Sequence, residues 1–400
     1  MIDYEQFYSA NAKGMKESEL KELLKFTNKP GIISFAGGYP APDLFPVAEI
    51  TEIINDLMAK GGTGIFQYGA AEGYLPLREE LVKFMKKQGV DIALEQLVII
   101  TSSQQGLDLV GKVFLSPGDV IMTGKPTYIG AIMAFNCYSA QMCGIELDDD
   151  GIDTALLEKE IKNLIAAKRK PKCIYVVPDF QNPSGITISL DRRKELIRIA
   201  EEYDLLIVED SPYRQLRFEG EPEPPLVSLN SERVLSLYTF SKILLPGFRL
   251  GWMIGPEPLI RKSVIAKMAG DICAPPFNQA VVAEFLKREL LEGQIEKIIA
   301  AYREKRDLML AKLAEYMPER EGLKWTHPNG GLFLWLTLPE NMDATEMFRD
   351  AVEKKVAYVV GQAFDPEGKK RNTMRLNFSF ASLEQIDEGV KRLAQVIKSR

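Results

Sequence analysis

The stretch VLSLYTFSKILLPGFRLGW, from Val234 to Trp252, decides the fold, because it places one lysine between two apolar runs. The runs Val234–Tyr238 and Leu250–Ile254 have the composition of buried strands, and Lys242 lies between them. An amine that is withdrawn from water loses proton affinity and becomes nucleophilic, which is the state that forms a Schiff base with an aldehyde. The alternative is a loop lysine whose ammonium group reaches water.

Polar side chains near Lys242 suit a phosphate group. Thr239 and Ser241 carry hydroxyls, and Arg249 follows seven residues after the lysine. A guanidinium can donate to two oxygens of one phosphate at once. Because pyridoxal 5′-phosphate (PLP) combines an aldehyde with a phosphate, the segment predicts a PLP site.

The sequence from residue 50 to 260 alternates short apolar runs with amphipathic helical patterns such as Gln105–Leu115 and Leu190–Tyr203. This alternation predicts an α/β fold with a mainly parallel sheet covered by helices on both faces. Ligands bind at the carboxyl ends of the strands in such sheets. The candidate strands are Leu97–Ile100, Val120–Met122, Cys173–Val177, Leu205–Val208, Val234–Tyr238 and Leu250–Ile254.

The C-terminal part has a different pattern and predicts a smaller α+β unit. It begins with a long helical run from about Ala274 to Met317. We expect residues 1–48 to join the small unit and cover the site, residues 49–285 to form a large PLP-binding domain, and residues 286–400 to form the small domain. The other predicted elements are the strands Gly331–Leu338, Ala357–Val360 and Met374–Phe378 and the helices Ala344–Lys354 and Leu383–Ile397.

The motif TSSQQGLDLV, Thr101 to Val110, follows the strand Leu97–Ile100 and opens a helix. The first N–H groups of a helix are free and lie at its positive end, so they attract an anion. Ser103 and Gln104 are the side chains that we expect to contribute. A plain helix N-cap is the alternative.

The motifs DFQNPSG and LLIVEDSPY follow two further strands. Asn182 precedes a proline, which holds it extended, and its amide can donate to a ring oxygen. Glu209 and Asp210 are adjacent on a strand, so they point to opposite sides. A buried aspartate needs a cation, and the pyridinium nitrogen of PLP meets that need. The alternatives are an ordinary turn at Asn182 and a helix cap at Asp210.

The composition argues against several other classes of protein. A net charge of −6 disfavours nucleic acid as a partner, and a single histidine, His327, disfavours a histidine metal site or a Ser-His-Asp hydrolase. Four cysteines without CxxC spacing indicate buried free thiols in a reducing compartment. The uncharged stretch Pro126–Ile145 fits a buried helix followed by a strand better than a membrane span. We therefore expect a cytoplasmic protein without a metal.

These motifs together resemble fold-type I PLP-dependent class I/II aminotransferases, in particular the subgroup of 2-aminoadipate, kynurenine, alanine–glyoxylate and aromatic aminotransferases. The resemblance extends from SFAGGYPAPDLFP, Ser34–Pro46, to MRLNFS, Met374–Ser379. It implies transfer of an α-amino group between an amino acid and a 2-oxo acid, such as 2-oxoglutarate or pyruvate, by a ping-pong mechanism. It also implies a homodimer with shared active sites.

The resemblance implies a role for each candidate residue. Lys242 would be the Schiff-base lysine and would carry the proton between the substrate Cα and the cofactor C4′, and Asp210 would pair with the pyridinium nitrogen. Tyr68 would reach the phosphate of the partner subunit. The remaining implied contacts are Asn182 and Tyr213 at the phenolic oxygen, Tyr128 on the ring face, and Ser103, Gln104, Ser241 and Arg249 at the phosphate, with Thr239 where a serine is common three residues before the lysine.

Substrate recognition is implied at two places. Arg375 would hold the substrate α-carboxylate through two hydrogen bonds, helped by Asn182 and the backbone of Gly38, and the alternative for Arg375 is a surface ion pair. In the helical pattern ESELKELLKF, residues 17–26, Lys21 or the preceding Lys16 would meet an acidic substrate side chain, and the alternative is a solvated lysine. Broad, 2-aminoadipate-type and aromatic specificity therefore stay open.

Two rival functions remain. A PLP-dependent lyase, decarboxylase or cyclopropane-forming synthase on the same fold would use the same residues at the strand ends. A PLP-sensing regulator would carry a DNA-reading domain ahead of the motif GGYPAPDLFP. That motif begins at residue 37, so we expect no such domain.

Overall fold

The computed structural model describes residues 2–15 and 31–400. The strands within these residues are β1 (Ile33–Ser34), β2 (Leu97–Ile100), β3 (Val120–Lys125), β4 (Gln141–Asp148), β5 (Gly151–Ile152), β6 (Cys173–Val176), β7 (Leu206–Asp210), β8 (Val234–Thr239), β9 (Gly251–Ile254), β10 (Lys324–Trp325), β11 (Phe333–Thr337), β12 (Val356–Ala357), β13 (Val359–Val360) and β14 (Thr373–Asn377). The helices are α1 (Ala10–Gly14), α2 (Val47–Ala59), α3 (Leu75–Lys87), α4 (Ser102–Phe114), α5 (Ile129–Asn136), α6 (Thr154–Ala166), α7 (Leu190–Glu202), α8 (Leu226–Leu229), α9 (Glu257–Asp271), α10 (Pro276–Lys287), α11 (Leu290–Tyr316), α12 (Ala344–Glu353) and α13 (Leu383–Lys398).

A sheet of eight strands lies at the centre of the fold, in the order β2–β9–β8–β7–β6–β3–β4–β5. Its strands run mainly parallel, whereas β9 is antiparallel to β2 and β8, and β5 is antiparallel to β4. Every side chain of β2, β6 and β8 is buried, as expected for strands covered on both faces. The predicted α/β fold with a mainly parallel sheet is therefore confirmed.

The predicted strands of this sheet are all present, with small changes at their ends. The strand β7 extends to Asp210, two residues further than predicted, so both carboxylates of its motif belong to the strand. The uncharged stretch Pro126–Ile145 contains the helix α5 and the start of the strand β4, as the sequence predicts. No helix within residues 2–15 and 31–400 is long and apolar enough to cross a membrane.

The single long helix predicted from Ala274 to Met317 is wrong. The chain forms two helices, α10 and α11, which are separated at Glu289, where a φ of +57° is left-handed. Neither glycine nor proline marks this break, so the sequence pattern runs through it. The two helices pack against different partners, α10 on α2 and α3, and α11 on α13. Tertiary packing therefore decides where the first helix ends.

The strand predicted over Ala357–Val360 is wrong as a single element. The strand β12 pairs in parallel with β1, whereas β13 pairs with β14 in a separate four-stranded antiparallel sheet. Tyr358 lies between them, and its hydroxyl donates to the carbonyl oxygen of Ala344 (2.6 Å). Both strands are extended and apolar, so the local sequence does not distinguish them. They differ only in the distant strands with which they pair.

The strand β1 lies near the N-terminus but pairs with β12, so it belongs to the C-terminal part of the fold. The small antiparallel sheet has the order β10–β11–β14–β13, and the helix α13 packs against α11 and α12 beside it. The domain boundaries after residues 48 and 285 stay a prediction.

The cysteines are free thiols, but the expectation that they are buried holds for Cys173 alone. Cys143 is half-buried because its strand, β4, lies next to the short edge strand β5. Cys137 follows the last residue of α5, and Cys273 lies in the loop between α9 and α10. Loop and edge positions leave both of these thiols half-buried as well.

Candidate active site

A cavity of about 320 Å³ lies beyond the carboxyl ends of β6, β7 and β8. Its wall combines the loops after these strands, the N-terminus of α4 and two residues of the small sheet. The structure brings nearly all of the predicted site residues together here, as expected for the carboxyl edge of a parallel sheet. The predicted residues that line the cavity are Gly38, Ser103, Gln104, Tyr128, Asn182, Asp210, Tyr213, Thr239, Ser241, Lys242, Arg249 and Arg375.

A larger groove of about 1480 Å³ runs between β4 and the small antiparallel sheet. Its side chains carry both signs of charge, and several form ion pairs, such as Lys125 with Glu146 (3.8 Å) and Arg371 with Asp343 (3.2 Å). None of the predicted site residues lines this groove. The smaller cavity is therefore the candidate active site.

Lys242 lies in the connection between β8 and β9 and is half-buried. Its Nζ donates to the carbonyl oxygen of Gly38 (2.8 Å). Burial lowers the pKa of Lys242 to about 8, and the positive charges of Arg375 and Arg249 act in the same direction. A substantial fraction of the amine is therefore neutral near physiological pH. The alternative of a lysine that extends into water is wrong.

Asp210 ends β7, and its side chain is buried. Tyr175 on the neighbouring strand β6 donates its hydroxyl to Oδ2 (3.0 Å), and Oδ1 has no hydrogen-bond partner within the part of the chain that the structure describes. Burial raises the pKa of Asp210 to about 7, although the hydrogen bond from Tyr175 opposes this change. A buried carboxylate oxygen without a partner suits a cationic ring nitrogen.

Glu209 points to the opposite side of the sheet from Asp210, as predicted. Its carboxylate accepts the backbone N–H groups of Leu226 (2.8 Å) and Val227 (3.2 Å) at the start of α8, and also the hydroxyl of Ser236. The helix cap that was the alternative role for Asp210 is therefore made by Glu209. The Asp210 side chain therefore does not cap α8 and lines the cavity instead.

Hydroxyls, a guanidinium and a helix N-terminus form a group that suits an anion. Ser102 and Ser103 begin α4 at the cavity wall, and the buried Oγ of Ser103 has no partner among the described residues. Arg249 Nη1 donates to Ser241 Oγ (3.4 Å), and Thr239 Oγ1 donates to the same oxygen (2.9 Å). Free helix N–H groups beside these side chains would suit a phosphate, as the sequence predicts.

Asn182 connects Tyr213 with Arg375. Its Nδ2 donates to the hydroxyl of Tyr213 (3.3 Å), and its Oδ1 accepts from Arg375 Nη1 (2.7 Å). Arg375 Nη2 donates to the carbonyl oxygen of Ala36 (2.6 Å), and Arg375 makes no ion pair with residues 2–15 or 31–400. Burial lowers the pKa of Arg375 to about 10. The surface ion pair considered for Arg375 is wrong, and its buried guanidinium is placed to receive a carboxylate.

Tyr128 and Gln104 contact each other at the cavity wall. The Tyr128 hydroxyl donates to Gln104 Oε1 (3.4 Å), while Gln104 Nε2 donates to the carbonyl oxygen of Gly130 (2.9 Å). A Cβ atom at residue 130 would come within 2.5 Å of the Tyr128 ring, so glycine is required there. Burial raises the pKa of Tyr128 to about 12, which keeps the phenol protonated.

Sequence reasoning missed several residues of the site. Ser102 lines the cavity, and its backbone is left-handed, with a φ of +68°. The neighbouring Gly251 allows this close approach, because a Cβ atom there would come within 3.1 Å of the Ser102 Cα atom. Tyr175 is the hydroxyl donor to Asp210, and the signal for it was a tyrosine inside a buried apolar strand, where its hydroxyl needs a partner. Phe333 also lines the cavity, and no feature of its sequence distinguishes it from a core residue.

One described residue among those predicted, Tyr68, is not brought to the cavity. Tyr68 lies outside it, and 78% of its side chain is exposed. Lys21 and Lys16, with the helix predicted around them, lie outside the described residues.

The cavity offers an amine with a lowered pKa for the aldehyde of PLP, a group of anion-binding donors for its phosphate, and a carboxylate oxygen without a partner among the described residues for its ring nitrogen. Fold-type I PLP-dependent enzymes hold these groups on a sheet of this kind. The chain belongs to the aminotransferases of class I and II, because the model of that family matches residues 17–393. It is therefore a PLP-dependent enzyme that transfers amino groups.

Relatives and solved structures support the same assignment. The chain is 46% identical to aromatic-amino-acid aminotransferase 1 of Thermococcus litoralis, over 99% of this chain and 95% of that protein. It is also 46% identical to a multiple substrate aminotransferase of Thermococcus profundus, whose crystal structure matches with a TM-score of 0.95 over 100% of this chain and 99% of that one. LysN, an α-aminoadipate aminotransferase of Thermus thermophilus, shares 35% identity with a TM-score of 0.90, over 100% of this chain and 99% of that one. These names favour transamination over the lyase alternative.

Proposed function

We propose that this enzyme is a broad-range aminotransferase in which Lys242 moves the substrate proton and Asp210 keeps the cofactor ring nitrogen protonated. The observation that carries the proposal is geometric: one cavity holds the Lys242 amine and a buried Asp210 carboxylate oxygen that has no hydrogen-bond partner among the described residues. Burial lowers the pKa of Lys242 to about 8 and raises that of Asp210 to about 7. An amine with a pKa near the working pH is suited to accept and return a proton.

When bound, PLP supplies a carbonyl that condenses with an amine and a ring that withdraws electrons from the substrate Cα. Ser103, Ser241 and Arg249 would bind its phosphate together with the first N–H groups of α4. Tyr128, which lines the cavity, would contact the face of the ring. These contacts support the proposal because Ser103 Oγ is buried without a partner in the described structure, and a phosphate oxygen would satisfy it.

Lys242 is the base that accepts the proton from the substrate Cα. The carbonyl oxygen of Gly38 holds its Nζ at the cavity wall, and the cationic Arg375 and Arg249 oppose its protonation. With the cofactor bound, the same Nζ would return the proton at the cofactor carbon C4′, which the substrate nitrogen joins to Cα. Because Lys242 forms no ion pair within residues 2–15 and 31–400, no carboxylate there holds it in the charged form.

Asn182 and Tyr213 orient the phenolic oxygen of the ring, and Arg375 binds the substrate α-carboxylate. Asn182 contacts both Tyr213 and Arg375, so it would align the substrate with the ring. Burial of Arg375 away from other carboxylates favours a bidentate contact with a substrate that carries one.

We further propose that the donors include aromatic amino acids and 2-aminoadipate, with 2-oxoglutarate or pyruvate as acceptor. Support comes from relatives whose names give aromatic amino acids, α-aminoadipate and multiple substrates. A charge at Lys21 or Lys16 that meets an acidic side chain stays a prediction.

The half-reaction tests the proposed function. We expect the PLP-loaded enzyme, mixed with phenylalanine or 2-aminoadipate and no 2-oxo acid, to form one equivalent of 2-oxo acid and one of pyridoxamine phosphate per site, because transamination stops until an acceptor arrives. Absorbance of the cofactor and product analysis measure both. Lysine and serine serve as comparison donors. Ammonia released over many turnovers would instead identify a lyase, and turnover of a single donor would contradict broad specificity.

The homodimer with shared sites is also part of the proposal. Tyr68 is exposed, as are Phe66 (66%) and Ile272 (55%), and Phe66 stacks on Phe277 with ring centroids 5.7 Å apart. Exposed large apolar side chains of this kind are typical of a protein interface. In the dimer, Tyr68 would reach the phosphate of the other subunit's cofactor.

We expect Tyr68→Phe to weaken cofactor binding about tenfold, since one hydrogen bond to a charged group is lost. Equilibrium dialysis measures the affinity, and sedimentation measures the dimer. Tyr4→Phe, at another exposed tyrosine, is the matched control and should change neither quantity. A hybrid dimer pairs one Tyr68→Phe subunit with one Lys242→Ala subunit. One of its two sites should bind the cofactor tightly and be active, because the Tyr68→Phe subunit supplies an intact Lys242 and the Lys242→Ala subunit supplies an intact Tyr68. Hybrids that bind as weakly as Tyr68→Phe dimers would contradict sharing across the interface.

A further inference from the structure

Two aromatic rings lie beside the guanidinium of Arg375. Its guanidinium carbon lies 4.3 Å from the ring centroid of Phe333 and 5.0 Å from that of Phe364. Both phenylalanines are buried. Aromatic faces attract a cation because the ring quadrupole places negative charge on them, and the attraction is largest where water is excluded. The two rings therefore stabilise the charge of Arg375 without a carboxylate.

Phe364 is itself fixed in place from two directions. The ring of Trp335 packs edge-on against it, with centroids 5.7 Å apart and an interplanar angle of 85°. The backbone carbonyl of Phe364 accepts the N–H of Thr127 (2.8 Å), the residue directly before Tyr128. Phe364 thus links the small sheet to the loop that carries the ring-stacking tyrosine, although it does not line the cavity.

The arrangement leaves the edges of the guanidinium for hydrogen bonds. Asn182 and the Ala36 carbonyl each accept from one terminal nitrogen, and Nε has no partner within the described chain. A glutamate in place of Phe364 would also offset the charge, but it would compete with the substrate for the same N–H groups. An aromatic ring stabilises the cation and cannot accept the in-plane hydrogen bonds that a carboxylate takes.

We propose that Phe364 is a positioning residue for the substrate α-carboxylate: its ring fixes the plane of the Arg375 guanidinium in which the carboxylate is bound. The inference rests on the proposed role of Arg375. Every α-amino acid carries this carboxylate, so the effect of Phe364 is the same for aromatic, acidic and aliphatic donors. A residue that selected the substrate side chain would discriminate among them.

The test is Phe364→Leu in the PLP-loaded enzyme. We expect KM to rise about thirtyfold for every donor, which is the size of a desolvated cation–π contact, with kcat changed less than twofold. Calorimetry with 3-phenylpropionate, which carries a carboxylate but no amine, should show the same loss of affinity. Phe364→Tyr keeps the aromatic face and should retain the wild-type KM. If Phe364→Leu does not fold, Phe364→Met fills a similar volume without a ring and takes its place.

Phe348→Leu is the matched control. Phe348 is also buried in the C-terminal part and has an edge-on aromatic neighbour, Tyr358 (5.5 Å, 86°), whereas the described rings beside the Arg375 guanidinium are those of Phe333 and Phe364. Its replacement should lower the melting temperature and leave KM unchanged. An equal rise of KM in Phe348→Leu and Phe364→Leu would overturn the proposal, because loss of any buried ring would then explain it.

A double-mutant cycle separates this inference from the function on which it rests. In an Arg375→Gln background, Phe364→Leu should raise KM no further, since the ring acts through the guanidinium. Multiplicative effects of the two substitutions would overturn the role of Phe364. An Arg375→Gln enzyme with unchanged KM would instead remove the proposed role of Arg375.

Discussion

Lys242→Ala is expected to lower kcat by at least about 10³-fold, because the base that moves the substrate proton is lost together with the amine that attaches the cofactor. Borohydride reduction should link the cofactor covalently to the wild-type chain and leave it unattached to the variant. The variant should still bind the cofactor, since the phosphate contacts of Ser241 and Arg249 remain. Stopped-flow measurement of the half-reaction and mass spectrometry of the reduced protein check these outcomes.

Lys305→Ala is the matched control for this experiment. Lys305 is also half-buried, its Nζ donates to the carbonyl oxygen of Ser379 (2.9 Å), and burial lowers its pKa. It does not line the cavity. The control should keep wild-type turnover and the borohydride adduct. If Lys242→Ala keeps near-wild-type turnover, or if both variants lose turnover equally, Lys242 is not the base.

Motifs at the ends of strands could be read from the sequence because local chemistry defines them. A lysine between two apolar runs, an aspartate that ends a strand and an asparagine before a proline each carry their signal within a few residues. The parallel sheet then brings Lys242, Asp210 and Asn182 to one edge without further information. This is why the predicted residues converge on one cavity.

Features that depend on distant contacts could not be read in this way. Glu289 interrupts a continuous helical pattern because α10 and α11 pack on different elements. Tyr175 reaches Asp210 only through the pairing of β6 with β7. Phe364 has the appearance of an ordinary core residue, and its place beside Arg375 follows from the pairing of β13 with β14. Helix packing decides the first of these positions and strand pairing the other two, and the sequence states neither.

Asp210→Asn is expected to lower kcat about 10²- to 10⁴-fold, because loss of one partner from a buried ion pair costs about 3 to 5 kcal/mol. A neutral amide cannot hold the ring nitrogen in its protonated form, so the ring withdraws electrons less strongly from the substrate. Cofactor affinity should fall as well. Steady-state kinetics and equilibrium dialysis measure the two effects. Glu209→Gln is the matched control, since Glu209 is equally buried but caps α8, and it should leave cofactor affinity unchanged.

In the cofactor-free protein, Asp210→Asn should instead be favourable, because it should raise the stability of the fold. Burial raises the pKa of Asp210 from 3.8 to about 7, so the folded protein holds this proton more tightly than the unfolded chain. The stability that the protonated carboxyl contributes is complete below about pH 4 and is lost as the pH rises to about 7, a change of roughly 4 kcal/mol. Asp210→Asn removes this loss, because an amide does not ionise.

The cofactor-free Asp210→Asn variant should therefore melt at a higher temperature than the cofactor-free wild type at pH 8, and the difference should shrink towards pH 4. With PLP bound, the order should reverse, because the wild-type carboxylate then has a cation beside it and the amide does not. Thermal unfolding of both proteins across this pH range, with and without cofactor, measures the crossing. A substitution that lowers the melting temperature of both forms at every pH would mean that Asp210 supports the fold and not the ring nitrogen.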